Sequence, residues 1–311
     1  MPIAECRLPT TDPRSDPAMT DRFNFAHDVV DAWAQRRQGP ALILADPATG
    51  ATRTFDFADV RRHSRAVAAQ LAGLGVNRGD AVAVVLPRVA QWWFVMTALH
   101  RLGAVAVPGT PLLTAKDLHY RINAASIRAV VAEADTADRV DEIAADCPSL
   151  RAKLIVGSER PGWNRCDDAH QHGDDVEVDT LATDPALLYF TSGTTGHPKM
   201  VLHTQASYGR AHRLTGEWWL GLKPTDIHWN LSDTGWAKAA WSSLYGPWHC
   251  GSAVFAVDAR GKFDPAQVLD VLERFPITSF CAAPTAYRLL VRENLAGRTF
   301  SHLRSCVSAG E

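Results

Sequence analysis

The chain has 311 residues, 46% of them hydrophobic and 21% charged, which is enough to bury a sizeable core in one large or two ordinary domains of a soluble globular protein. Its 32 basic and 34 acidic side chains leave a formal charge of -2, so neither nucleic acid nor an anionic membrane surface is an expected partner. No apolar run reaches the ~18 residues that a membrane span requires, and the opening residues lack the apolar core of a signal peptide.

Taken in chain order, residues 1–22 are acidic, polar and proline-containing and are expected to form a flexible lead-in. Phe25, Ala26, Val29, Val30 and Trp33 follow helical spacing. ALILAD (41–46) and ATRTFDF (51–57) flank a DPATG turn, the pattern of a hairpin at a sheet edge. A helix is expected over 57–74, closed by Gly75, and RGDAVAVVLP (78–87) reads as a buried strand stopped by Pro87. Residues 92–102 are apolar at helical period. The alternation then continues with a strand over 103–109, a helix over 114–125, a strand over 128–133, a helix over 135–147 and a strand over 152–157. Several strands are apolar without alternation, as in a sheet covered on both faces. The strand–helix lengths suit right-handed crossovers, so the residues alone predict an α/β fold.

Residues 161–180 are polar and acidic and read as a linker. Within them, Asp167, Asp168, His170, His172, Asp174 and Asp175 are donors for a metal, but they have no apolar frame to fix ligand geometry, and a solvated loop is the better reading. The six cysteines are dispersed, with no CxxC pair, and are expected to be reduced thiols, some of them filling the core. With no leader or span in view, the expected compartment is the cytoplasm.

Residues 189–201 read YFTSGTTGHPKMV. A strand over 186–190 runs straight into this loop. Gly193 and Gly196 permit backbone angles and close approaches that side chains forbid, so successive N–H groups can point into one concavity and cradle phosphate. Thr191, Ser192, Thr194 and Thr195 add hydroxyls and Lys199 a cation. The spacing is not that of a Walker A loop, and a flexible Ser/Thr/Gly surface turn is the alternative on composition alone.

This stretch resembles the signature of the adenylate-forming (AMP-binding) superfamily, which includes acyl-CoA synthetases, luciferases and peptide-synthetase adenylation domains. The match runs over Thr191, Ser192, Gly193, Thr194, Thr195, Gly196, Pro198 and Lys199. Met200, where most members carry glycine, together with His203, resembles the medium-chain acyl-CoA synthetase branch. SDTGWAKAAWSSLYGPWHCGSAVF (232–255), FCAAPTAYRLL (280–290), SAGE (308–311), RFNFAHDVVDAW and LPRVAQWW are similar to segments of the same branch. The resemblance thus extends from about residue 23 to the last residue.

The resemblance implies the N-terminal part of the adenylate-forming fold, with stacked βαβ-type sheets and helices, incomplete at the C-terminus. It implies ATP with Mg2+ and coenzyme A as partners of a small-molecule carboxylate, and an acyl-adenylate that passes its acyl group to the thiol with release of AMP. It further implies that the loop from Thr191 to Lys199 holds the β- and γ-phosphates and that Asp233, Gly235 and Trp236 lie at the acyl pocket. SAGE, with Gly310 and Glu311, would begin the segment that packs on adenine. The adenylation lysine would lie downstream of this sequence, so the chain alone is expected to be inactive or nearly so. A noncatalytic nucleotide- or acyl-binding remnant and an enzyme loading a carrier protein remain alternatives. Acyl chain length is not readable, because each methylene is worth only about 1–3 kcal/mol of discrimination.

Other readings of single residues stay open. Trp241 and Trp248 suit a core, Asp233 suits the cap of a helix starting near Trp236, Lys238 suits a surface, and His203 and His228 suit structural roles near strand ends. No Gly-x-Ser-x-Gly elbow supports hydrolase chemistry. The expected organisation is an N-terminal α/β subdomain over 23–180 and an incomplete one over 181–311, with a second sheet starting near Pro185 and the phosphate loop where the two meet.

Overall fold

Short-range signals decide where many elements begin and end. Asp56 and Asp59 close a reciprocal capping box at the head of the first long helix, and Thr114 and Asp117 do the same for a later one. Asp264 accepts from two backbone N–H groups ahead of Pro265, and Gly103 ends its helix in the left-handed conformation at φ 62°. The computed structural model describes residues 22–36, 38–166, 176, 178–191, 198–259 and 261–309. The lead-in over 1–21, the Asp/His cluster from Asp167 to Asp175, the loop residues Ser192, Gly193, Thr194, Thr195 and Gly196, and Gly310 and Glu311 lie outside the described residues.

A π-helical turn, Ala26–Asp31, runs into α1 (Ala32–Arg36). The hairpin of β1 (Pro40–Ala45) and β2 (Thr52–Asp56) follows, then α2 (Phe57–Gly73), β3 (Ala81–Val85), α3 (Ala90–Leu102), β4 (Val105–Pro108), α4 (Ala115–Ala124), β5 (Ala129–Ala132) and α5 (Ala134–Ile143). Next come β6 (Ala152–Ile155), the short β7 (Asn164–Arg165), and a second hairpin of β8 (Pro185–Thr191) and β9 (Lys199–Thr204). The π-helical turn Gln205–Arg210, α6 (His212–Leu214) and the π-helical turn Thr215–Trp219 lead to β10 (Ile227–Asn230). The chain ends with α7 (Ala237–Ala240), the π-helical turn Trp241–Tyr245, α8 (Gly246–His249), β11 (Ala253–Val257), α9 (Pro265–Arg274), β12 (Ser279–Ala282), α10 (Pro284–Leu290) and β13 (Ser305–Ser308).

The strands form two sheets, ordered β7-β6-β5-β3-β4-β8-β9 and β13-β12-β10-β11-β1-β2. Each is parallel except at one edge, where a hairpin turns back on itself. The expectation of a second sheet beginning near Pro185 is corrected. Leu187 of β8 pairs with Ala106 of β4 and so extends the first sheet, while Leu42 of β1 pairs with Val254 of β11 and starts the second. Sheet membership therefore crosses residue 180 in both directions.

Alternation along the strands sets the layers. Val82, Val84, Leu42, Leu44, Val254 and Ala256 all face one shared core with Trp92, Trp93, Phe94 and Trp248. The intervening residues Ala83 and Val85 face α4 and α5 through Leu118, Ile122 and Val140. Phe255 and Val257 face α9 through Leu269 and Leu272. The layers are helix, sheet, helix, sheet, helix. Lying between the sheets, α3 is buried on every side. Its one charged group, Arg101, is 1% exposed and donates to both oxygens of Asp31 at 2.9 and 2.6 Å and to Ser64 Oγ at 2.9 Å. A buried charge is tolerated when it is paired and bonded in this way.

Burial also lowers the pKa of His100, His212 and His249 to about 4 and that of His228 to about 3. Unfolded imidazoles bind protons below about 6.5. Between that value and about 4 the unfolded chain therefore holds more protons than the folded one, and stability falls as pH falls. Urea midpoints should drop continuously from pH 7 to pH 5. A midpoint that stays flat or rises on acidification would contradict these buried neutral histidines.

Candidate functional site

The phosphate-loop stretch is borne by the β8–β9 hairpin, whose last register pair is Thr191 with Lys199. The loop therefore connects two antiparallel strands, not a strand and a helix. Among the described residues, β8 is followed by β9 and not by the helix that follows the strand of a Walker A site. Anion binding there would rest on backbone N–H groups, hydroxyls and Lys199. Both base residues are exposed, and Thr191 Oγ1 donates across the hairpin to the Lys199 carbonyl at 3.4 Å. Helix α4 steadies this base from one side. Tyr120 donates to the Pro198 carbonyl at 3.1 Å, and the Arg121 guanidinium stands 4.9 Å from the Phe190 ring centroid.

The second predicted cluster follows β10. Asp233 Oδ1 accepts from Gly235 N at 2.8 Å, and Trp236 N donates to the Asp233 carbonyl at 3.1 Å, forming a tight Asx turn. Asp233 does not cap α7, whose N-cap is Trp236 with no side-chain bond; the carboxylate is spent within its own turn. An added Cβ on Gly235 would lie 2.1 Å from Thr110 N and 2.4 Å from the Gly109 carbonyl carbon. Glycine is needed here because two backbones touch. Thr234 donates its hydroxyl to the Leu86 carbonyl, and Arg88 donates to the Leu231 carbonyl at 2.7 Å and the Ser232 carbonyl at 3.3 Å. Residues from the first sheet therefore hold this turn on the second.

The turn is fixed at its far end as well. Tyr208 donates to the Ala237 carbonyl at 2.6 Å, and Lys238 Nζ donates to the Ala309 carbonyl at 2.5 Å. Lys238 is thus a half-buried tether to the SAGE segment and not a free surface lysine. Trp236 is 67% exposed. Trp229 and Trp248 are buried, Trp241 packs partly buried on the central core, and His228 is buried with Nδ1 at 2.9 Å from Ser279 Oγ.

A cleft of about 480 Å3 opens beside the turn, reaching Asp233 and Thr234 but not Gly235 or Trp236. Its floor includes Val85, Trp229 and Phe263, and its charges are mixed: Arg88, Arg139 and Lys262 against Glu133, Asp135, Asp233 and Asp264. Burial pulls the Arg88 pKa down, opposed by Asp233 and Asp258. Arg139 is committed to structure, donating to the carbonyls of Leu113 at 2.5 Å and Pro111 at 2.9 Å. Among the described residues no group of three His, Cys, Asp or Glu side chains could hold a metal ion.

The structure thus brings Asp233 and Gly235 to the seam between the sheets. Register extends this to the hairpin. Ala106 pairs with Leu187 in parallel, so β4, which leads on to Gly109 and Thr110, and β8, which ends at Thr191, run in the same direction towards one end of the sheet. The sequence reading missed Arg88, Tyr208 and the tethering role of Lys238. Arg88 carried one signal, a cation directly after a buried strand. Replacing Gly235 with alanine should cost about 3 kcal/mol through overpacking, read from urea denaturation. Wild-type stability would show that the sheets do not meet at this contact.

The chain is similar to known proteins over most of its length. The family model described as AMP-binding enzyme matches residues 30–311. Human acyl-coenzyme A synthetase ACSM5, mitochondrial, is 42% identical over 299 residues, covering 93% of this chain and 51% of its own length. Human acyl-coenzyme A synthetase ACSM4, mitochondrial, is 40% identical over 308 residues, covering 96% and 53%. The chain therefore spans about half the length of these curated relatives. Among solved structures, an acyl-CoA synthetase of Brucella canis aligns with TM-score 0.80 at 26% identity, covering 93% of this chain and 53% of that one. The anthranilate CoA ligase AuaEII in complex with anthranoyl-AMP aligns with TM-score 0.82 at 24% identity, covering 94% and 56%, a likeness of fold. The chain belongs to the AMP-binding enzyme family.

Proposed function

We propose that this chain is the front part of an acid–thiol ligase and supplies its ATP-phosphate and carboxylate sites. In the reaction so read, a carboxylate oxygen attacks the α-phosphorus of ATP and pyrophosphate leaves. The thiol of coenzyme A then attacks the acyl carbonyl, and AMP leaves with the bonding electrons of the cleaved anhydride. The observation that carries the reading is the Thr191–Lys199 hairpin base running alongside the strand end against which the Asp233–Gly235 turn is packed.

In this reading, the residues from Thr191 to Lys199 hold the β- and γ-phosphates through N–H groups, hydroxyls and the lysine charge. Gly310 and Glu311, at the end of SAGE, are the proposed start of the adenine-binding segment. Asp233, Gly235 and Trp236 flank the carboxylate, with Gly235 acting through close packing. Mg2+ arriving on ATP needs only one or two protein oxygens, because it keeps several waters and is bound mainly by substrate phosphates. It supplies charge neutralisation on the phosphate oxygens. The described residues do not by themselves form a cage for it.

Acyl carboxylates are the proposed substrate class, supported by the identity to synthetases named for acyl-coenzyme A, with medium-chain, short-chain and aromatic acids all within it. The cytoplasm is the proposed compartment. The relatives are named mitochondrial, and fractionation of the expressed protein decides between the two. No helix of the described residues is long and apolar enough to cross a membrane.

Calorimetric titration of the chain with MgATP tests the phosphate site. Lys199→Ala removes a charge-assisted bond worth about 1.5–3 kcal/mol and should weaken binding about 10- to 100-fold. Lys223→Ala, at an exposed lysine outside the site, should leave it unchanged. Equal affinities for the two variants would remove Lys199 from the phosphate site.

A further inference from the structure

Tyr208 ties the phosphate-loop hairpin to the turn after β10. It lies in the π-helical turn that leaves β9, where Thr204 Oγ1 accepts from Ser207 N at 3.0 Å and Thr204 N donates to Ser207 Oγ at 2.8 Å. Its ring is 6% exposed. Ring centroids of Tyr189 on β8 and His203 on β9 stand 6.1 and 4.8 Å away, and those of His212 and Tyr245 stand 4.2 and 5.4 Å away. The ring is thus packed between the hairpin and the helical segments that carry His212 and Tyr245. The hydroxyl reaches the other way, to the carbonyl of Ala237, the residue after Trp236. Burial raises the phenol above its ordinary value, so the proton that makes this bond is kept at any working pH.

We propose that Tyr208 is a positioning residue that holds the Trp236–Ala237 end of the turn in register with the hairpin, so that a carboxylate at the turn is presented to a phosphate at the loop. This rests on the acyl-adenylate reading above. Its physical basis is that two reacting groups bound on separate sheets gain from proximity only if the elements carrying them cannot slide. The Ala237 carbonyl also accepts from Trp241 N within its own helix, so losing the hydroxyl leaves that helical bond in place and removes the only one of the two that comes from the segment after β9.

Tyr208→Phe keeps the ring and removes the bond. In the chain without ligand, amide hydrogen exchange over residues 233–240 should quicken about tenfold while residues 254–257 of β11 keep their rates. With ligand, a nonhydrolysable octanoyl-sulfamoyl adenosine should bind about tenfold more weakly to the variant, whereas AMP should bind equally to both. Unchanged exchange over 233–240, a uniform rise that includes β11, or equal losses for the analogue and AMP would overturn the proposal. Binding of neither ligand by the unsubstituted chain would overturn the adenylate reading alone, and the exchange rates would then decide whether Tyr208 holds the turn.

Discussion

The contact on which the seam depends is one between backbones. Gly235, on the second sheet, lies so close to Gly109 and Thr110, on the first, that there is no space for a methyl group. Elsewhere the sheets are held apart by a layer of helix, with α3 and Trp248 filling the gap. At Gly235 the two backbones meet without a side chain between them. A rigid, water-poor meeting of strand ends is where an α/β protein places ligands, because groups from two sheets can then be held at fixed separation with little reorganisation.

The bonds around that contact form a coherent set. Arg88 and Thr234 fasten the turn to the end of β3, Tyr208 fastens it to the helix after β9, and Lys238 extends it to the residues after β13. Four of the elements that meet here come from distant parts of the chain. Each fastening pairs a side-chain donor with a backbone carbonyl, so the main-chain position of the turn depends on these particular side chains. The acidic groups near Arg88 keep its charge compensated where burial would otherwise disfavour it.

Much of the fold was legible because its signals are local. Strands of apolar residues bounded by Pro87 or Gly109 were read from a few residues each, whereas the equally local capping boxes at Asp56 and Thr114 and the helix stop at Gly103, read as the head of a strand, emerged only with the structure. Pairing across the chain was not legible. Nothing in ALILAD indicates that Leu42 pairs with Val254, or in YFT that β8 joins β4, because strand neighbours are chosen by the packing of whole layers. The site divides in the same way. The loop from Thr191 to Lys199 was visible as a run of small hydroxyl residues and glycines, and Gly235 was visible as a glycine in a turn. Arg88 and Tyr208 were not, since an arginine after a strand and a tyrosine in a helix become informative only when their acceptors are known. Asp233 was visible through the resemblance as a pocket residue, and its alternative reading as a helix cap fails because its carboxylate closes its own turn.

On the acyl-adenylate reading proposed above, the phosphates of ATP sit on the hairpin beside this seam. The most direct measurement is photolabelling of the chain with an ATP derivative carrying an arylazide on its γ-phosphate, followed by mapping of the modified peptides. Label should concentrate in residues 189–204, with a lesser share in 231–238, and unmodified MgATP should compete it away. Label that falls on the β1–β2 hairpin or on α9, or that persists under excess MgATP, would contradict the claim.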